Sequence, residues 1–289
     1  AAPDVPFGAS GAQLEGGTAM DNEQVYTIGF IGAGNMGGAI IRAVCRGISP
    51  DSVLISDLDS AKTAALAAET GCAVAENAAQ VAGRCDIVML CVKPQVLKQT
   101  VESIKPYLHT NLIVSIAAGV TLDSLRTMLD GDGPLVRIMP NTPAAIGKGV
   151  LLTAFGDKVS AEYREKLTNL LAPCGSVEEV TEAQLDMGSA LSGCGPAFVY
   201  LFIEALADGA VQIGLPRDKA LRYAAQTVEG AAAMVLQSGR HPGELKDAVC
   251  SPGGTTIVGV AELEKRAFRG AAAQAVLAAY EKNEKLAGK

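Results

Sequence analysis

The chain holds 289 residues, 49% of them hydrophobic, and its 24 Lys and Arg against 31 Asp and Glu give a net charge of −7. An acidic balance without a basic cluster excludes a nucleic-acid partner, and an apolar share of this size supports a large core divided between two domains. No apolar run approaches the roughly 18 residues of a membrane span, so no membrane partner is expected.

Residues 1–19 are rich in Gly, Ala and Pro and carry no positive charge. They are unlike a signal or transit peptide and read as a flexible tail or expression remnant ahead of Met20. Short β-like runs then alternate with amphipathic stretches, the rhythm of βαβ units in a mostly parallel, Rossmann-like, doubly wound α/β sheet. The runs are Val25–Ile31, Val53–Ser56, Ile87–Val92, Leu112–Ala117 and Leu135–Met139. Val150–Phe155 and a polar helix over Ala161–Leu171 complete a dinucleotide-binding domain spanning residues 20–181.

Behind the first run, GFIGAGNMGGAI sets Gly32-x-Gly34-x-x-Gly37 between strand and helix, the context a dinucleotide-binding pattern requires. Gly32 permits a tight turn, Gly34 lets backbone approach a pyrophosphate, and Gly37 lets the helix sit close on the strand. Asp57 ends the second run. A carboxylate there accepts from the adenosine ribose 2′-hydroxyl and repels a 2′-phosphate, which tilts the cofactor toward NADH over NADPH. A helix-start role for Asp57 stays open, and neighbouring Ser56 could tolerate a phosphate. Other strand ends supply Asn77, Val92-Lys93-Pro94, Ala117-Ala118-Gly119 and, in MPNTP, Asn141. Each alone is ordinary turn chemistry; their shared sheet edge beside the glycine loop makes them cofactor candidates.

After Val180 only helical signals follow, giving an all-helical domain over residues 182–289. Thr181-x-x-Gln184 reads as a capping box. Ala197–Ile213, Arg217–Leu236 and Ala271–Leu286 are long and alanine-rich, and the first is apolar nearly all round. Such helices need burial that one small domain hardly supplies, so subunits are expected to interlock as a homo-oligomer. LSGCGPA, Leu191–Ala197, and SPGGTTI, Ser251–Ile257, break helical regions just before new helices. Their amides suit a carboxylate, although helix turns also use glycine. His109 reads as solvated surface and His241 as a helix start. Seven cysteines without CxxC pairs read as free thiols of a reducing, cytoplasmic compartment, and no metal site is expected. Cys85 and Cys91 read as core, while Cys194 and Cys250 border the glycine-rich segments.

FIGAGNM, CVKPQ, SIAAGV, MPNTP, LSGCGPA and SPGGTT, in that order and at these separations, resemble the pyrroline-5-carboxylate reductase family from Met20 to Lys289. The resemblance implies reduction of Δ1-pyrroline-5-carboxylate to L-proline by hydride from NADPH or NADH. It also implies a helical half that interlocks with its partner in a homodimer, with dimers assembling into decamers. Gly32, Ala33, Gly34, Asn35, Met36, Asn77 and Lys93 match cofactor positions, with Ala118 and Gly119 near the nicotinamide. Ser192, Gly193, Cys194, Gly195, Ser251, Gly253, Gly254, Thr255 and Thr256 match the substrate pocket, and Thr256 the proton donor. Cys194, a weaker donor of similar size, stands where the family usually has serine. A β-hydroxyacid dehydrogenase resembles the chain in its glycine loop but places a Lys on the long helix, and Ala197–Ile213 has none. A non-enzymatic dinucleotide sensor would have no use for two carboxylate-type loops.

Overall fold

The structure, a computed structural model, describes residues 25–286; the tail reading for residues 1–19 and the start at Met20 lie outside them. These residues form two compact units, one of residues 25–193 with 282–286 and the other of 194–281.

The first unit runs β1 (Tyr26–Ile31), α1 (Asn35–Gly47), β2 (Val53–Ser56), α2 (Ser60–Thr70), β3 (Ala73–Val74), α3 (Ala78–Arg84), β4 (Cys85–Leu90) and α4 (Pro94–Ile104). It continues through β5 (Leu112–Ser115), α5 (Leu122–Leu129), β6 (Leu135–Met139), β7 (Gly149–Phe155), α6 (Ala161–Leu171), β8 (Gly175–Glu179) and α7 (Glu182–Ser192). The eight strands form one sheet in the order β3-β2-β1-β4-β5-β6-β7-β8. Every neighbouring pair is parallel except β6 and β7. A parallel crossover takes about a dozen residues or more, and the short link after Met139 allows only reversal.

Helices cover both faces, which is why the central strands are apolar without alternation. On one face Phe30, Ile55 and Met89 pack with Ile40 and Val44 of α1 and Leu167 of α6. On the other, Leu54, Val88 and Leu90 pack with Leu97 and Val101 of α4 and Leu125 of α5. Each such side chain contributes about 1.5–3 kcal/mol by leaving water. The sheet departs from the expected strands at its margins. β4 pairs with β1 from Cys85, so it starts and ends two residues earlier than Ile87–Val92. β3 and β8 had no sequence signal, the first being two residues long and the second, GSVEE, largely polar.

The capping box of α7 is formed: Thr181 Oγ1 accepts from the Gln184 N–H, and the Gln184 side chain accepts from the Thr181 N–H. Two acids on this helix take up a buried cation from the sheet. Arg137 of β6 is 1% exposed, and its guanidinium donates to Glu182 at 3.2 Å and Asp186 at 2.7 Å. Glu182 also accepts from the Leu122 N–H.

The second unit holds α8 (Gly195–Gln212), α9 (Arg217–Ser238), α10 (Pro242–Ala248), α11 (Thr255–Lys265) and most of α12 (Phe268–Leu286). His241 begins α10 by accepting from the Gly243 N–H. The unit's own core is slight, with Ala207 of α8 against Ala220 and Ala224 of α9, and the Phe202 ring tilted against that of Phe268 at 5.5 Å between centroids. Tyr200, Leu201, Val258 and Leu277 are all exposed.

LSGCGPA interrupts the helical region as its glycines suggest, but only by a tight turn: α7 ends at Ser192 and α8 begins at Gly195, while Gly193 and Cys194 keep right-handed helical torsions and the Gly193 N–H donates to the Ser189 carbonyl at 2.9 Å. The segment Glu182–Gln212 is, by length and composition alone, apolar enough to cross a membrane.

Removing Arg137 would leave two acids facing a buried gap. Arg137→Met is expected to lower unfolding stability by about 3 kcal/mol, the low end for a broken buried pair because both acids keep some water contact. Urea denaturation checks it, and an unchanged midpoint would show that the pairs contribute nothing.

Candidate functional site

With β1, β2, β4, β5 and β6 parallel, their C-terminal ends share one sheet edge. Only Gly32, Ala33 and Gly34 separate β1 from α1, and the three patterned glycines have three different reasons. Gly32 sits at φ +106°, and a Cβ there would lie 2.7 Å from the Cys91 carbonyl oxygen. A Cβ on Gly37 would lie 2.4 Å from the Gly32 carbonyl oxygen, so glycine alone lets α1 settle onto the loop. Gly34 has neither constraint: its φ of −67° suits any residue, and a Cβ would meet nothing within 4 Å. It is the N-cap of α1, yet no side chain caps that helix. The bare position and the uncapped amides together fit a phosphate, which the helix dipole also favours.

The loop is tied down from both sides. Gly32 donates to the Ser56 carbonyl at 2.7 Å, and Cys91 donates to the Ile31 carbonyl at 2.8 Å. Asp57 accepts from the Ala33 N–H at 2.6 Å through one oxygen and from the Asp59 N–H at 2.9 Å through the other. The carboxylate proposed for the ribose therefore also shapes the glycine loop, while Asp59, rather than Asp57, caps α2. Burial pushes the Cys91 thiol beneath the loop up to about 12, so it stays protonated and inert.

Asn35 is exposed in the first turn of α1, and Met36 is half-buried against the core. Asn77 caps α3, its side-chain oxygen accepting from the Gln80 N–H at 3.0 Å. Val92 is half-buried, Lys93 is the exposed N-cap of α4, and Pro94 is its first residue. Ala117 is buried, whereas Ala118 and Gly119 stand exposed at the end of β5, with Gly119 at φ +74°. Asn141 is buried, its side chain donating to the Ser192 carbonyl at 2.9 Å and accepting from the Val150 N–H at 2.9 Å. Sequence reasoning passed over Leu58, which stands fully exposed in the turn after Asp57. The available signal was one apolar residue between two aspartates.

Ser192 closes α7, and its hydroxyl donates back to the Gly188 carbonyl at 3.1 Å. Gly193, Cys194 and Gly195 follow within helical or near-helical backbone. SPGGTTI does form a turn: Gly253 lies at φ +68° and Gly254 donates to the Ser251 carbonyl at 3.0 Å. Gly254 is the N-cap of α11 without a capping side chain, leaving Thr255 and Thr256 exposed in its first turn.

The family described as "NADP oxidoreductase coenzyme F420-dependent" matches residues 27–119, and "Pyrroline-5-carboxylate reductase dimerisation" matches residues 182–286. The pyrroline-5-carboxylate reductase of Pisum sativum is 43% identical over 263 residues, spanning 90% of this chain and 96% of that protein. The chain belongs to the pyrroline-5-carboxylate reductase family. A solved reductase of that name from Coxiella burnetii has a TM-score of 0.85 at 31% identity, covering 91% of this chain and 99% of the other. The Plasmodium falciparum pyrroline carboxylate reductase, solved with NADP bound, has a TM-score of 0.81 at 32% identity, covering 91% and 98%. As a pyrroline-5-carboxylate reductase, the chain is an oxidoreductase that uses a nicotinamide dinucleotide, and in sequence a helical dimerisation domain follows its Rossmann-like sheet.

Gly34 offers a test that separates binding from folding. Asp is a good N-cap, so Gly34→Asp is expected to leave stability unchanged or raise it by a few tenths of a kcal/mol. Its charge would occupy the cradle and weaken dinucleotide binding at least about tenfold, or 1.4 kcal/mol. Melting curves and fluorescence titration measure the two quantities; undiminished affinity would place the phosphates elsewhere.

Proposed function

We propose that this chain reduces the C=N bond of Δ1-pyrroline-5-carboxylate to L-proline, the last step of proline biosynthesis. The observation that carries the reading is likeness to reductases of that name along nine-tenths of the chain. The open cradle at Gly34 supports it from the structure.

A bound NADH or NADPH supplies hydride to C5 of the ring. The chain's own task is modest, because a protonated cyclic imine is already an electrophile and needs no strong base. What it needs is binding of the carboxylate, exclusion of water and alignment of the ring. Gly32, Ala33, Gly34, Asn35, Met36 and Gly37 would hold the pyrophosphate, with Asn77 and Val92-Lys93-Pro94 at neighbouring strand ends. Ala117, Ala118 and Gly119 would border the nicotinamide. Asp57 would meet the adenosine ribose, and its charge would disfavour a 2′-phosphate, which tilts the choice toward NADH. Leu58, exposed beside it, offers an apolar surface to the adenine.

Ser192, Gly193, Cys194 and Gly195 with Ser251, Gly253, Gly254 and Thr255 would bind the substrate. Thr256 would hydrogen-bond the ring nitrogen and pass it a proton from solvent. The dinucleotide-binding domain would span residues 20–181 and the substrate-binding and dimerisation domain 182–289. The bare apolar faces of α8 and α11 support a homodimer with interlocked helical halves, and dimers could build a decamer. They also account for the membrane-length helix through a second copy rather than lipid. Seven free cysteines fit a reducing cytoplasm.

Initial rates with racemic pyrroline-5-carboxylate and, separately, β-keto acids test the reaction. Turnover of the imine alone is expected; silence on every substrate with intact dinucleotide binding would favour a sensor. Thr256→Ala should lower kcat about tenfold, less than the 10²–10⁴ of a full general acid, with dinucleotide affinity retained. Asp57→Ser should raise the NADPH/NADH ratio of kcat/KM, and an unmoved ratio would remove Asp57 from ribose recognition.

A further inference from the structure

α1 and α2 pack against the same side of the sheet, and toward their C-terminal ends an ion pair ties them, the Arg42 guanidinium donating to the Glu69 carboxylate at 2.8 Å. Cys45 follows Arg42 by three residues on the same helix face, and Cys72 follows Glu69 by three. Between Glu69 and Cys72 the chain leaves α2. Gly71 caps the helix at φ +79°, and Thr70 Oγ1 accepts from the Cys72 N–H at 3.4 Å. The next residue, Ala73, enters β3 opposite Leu54 of β2. Cys72 is thus held between a helix cap and a strand, 5% exposed, in the core against which half-buried Cys45 also packs. The two thiols are hydrogen-bonded to each other, with the Thr70 hydroxyl beside both.

This contact sets the pair apart from the buried single cysteines. The hydrogen bond from Cys45 holds the Cys72 thiol well below its usual value, at about 6, and pushes Cys45 up. Burial instead pushes Cys85, Cys91 and Cys174 up to about 12, so these stay protonated and inert. A thiolate is the nucleophile toward peroxides, and one in contact with a second thiol is placed to finish as a disulfide.

We propose that Cys45 and Cys72 are a redox pair, closed by hydrogen peroxide to an intramolecular disulfide and reopened by a dithiol. The Cys72 thiolate attacks one peroxide oxygen; the O–O bond breaks, the sulfur becomes a sulfenic acid, and the other oxygen leaves as hydroxide. That hydroxide takes the Cys45 proton to form water. The Cys45 sulfur then attacks the Cys72 sulfur, the S–O bond breaks, and a second hydroxide leaves. Two sulfurs are oxidised and both peroxide oxygens reduced. The bond closes a loop that contains β2 and Asp57, the partners that hold Gly32 and Ala33. Oxidation therefore staples the frame of the glycine loop without placing an atom at the cofactor edge.

Peptide mapping of the full chain tests the pair. Reduced protein is treated with a few equivalents of hydrogen peroxide, alkylated with N-ethylmaleimide under denaturant, and weighed intact and after trypsin. The intact chain should bind two fewer alkyl groups, and a peptide of residues 43–46 linked to residues 63–84 should appear and vanish with dithiothreitol. The melting temperature should rise by about 5 °C, because the cross-link restricts the unfolded chain. Cys45→Ser keeps a hydroxyl donor for the thiolate but cannot form the bond, so it should leave a sulfenic acid on Cys72 that dimedone traps. Cys72→Ser should leave Cys45 reduced.

Full alkylation of both peptides after peroxide would make the pair a hydrogen-bonded piece of core and overturn the proposal. So would a linked peptide that joins other cysteines, or oxidation of Cys45 in Cys72→Ser at the wild-type rate. The wild-type map needs no variant, so the pair stands or falls on it even if a substitution unfolds the chain.

Discussion

The approach of α1 to the loop that precedes it is the constraint on which the cofactor edge depends. A helix can present its first amides to an anion only if nothing of its own fills that space, and only if the strand delivers the chain into the helix within three residues. Gly37 meets the second condition by letting the helix rest on the Gly32 carbonyl, and Gly34 the first by leaving its N-cap position bare. The bonds from Gly32 to Ser56 and from Ala33 to Asp57 then bind the loop to β2, so the cradle is rigid before any ligand arrives. Preorganisation of this kind reduces the ordering cost of binding.

Asp57 shows how one side chain carries two demands. A carboxylate that accepts two backbone N–H groups has a fixed orientation, and its charge stays at the loop's rim. A change at this position made to alter cofactor choice therefore also touches the loop. β6 plays the corresponding part for α7. Its buried arginine is tolerable in a sheet core because two acids meet it, and the fold thereby fixes where that helix begins.

Much of this was legible in the sequence for reasons of spacing. The glycine triplet between strand and helix, the capping box at Thr181 and Gln184, and the unbroken apolar runs of the parallel strands are local patterns, and local patterns survive into the structure. What escaped the sequence depends on distant partners. β8 is polar and becomes a strand only because β7 offers it an edge. Arg137 in LVRIM has its counter-ions more than forty residues away, in a helix with no mark that it faces a buried cation. LSGCGPA reads as a breaker because of its glycines and does separate two helices, but the Gly193 bond to the Ser189 carbonyl, which spacing does not reveal, keeps the break to a two-residue turn. Asn141 in MPNTP resembles any turn asparagine until its two backbone partners are known.

The helices of the second unit bury little among themselves, with three alanines at the centre of their contact and tyrosine, leucine and valine side chains left outside. For a dimerisation domain this makes foldedness a property of abundance. Any partner that binds the folded helices adds to their stability by mass action, so a dilute chain is less stable as well as less assembled. In a cell, such a protein would be most vulnerable to proteolysis and aggregation in the interval between synthesis and meeting its twin.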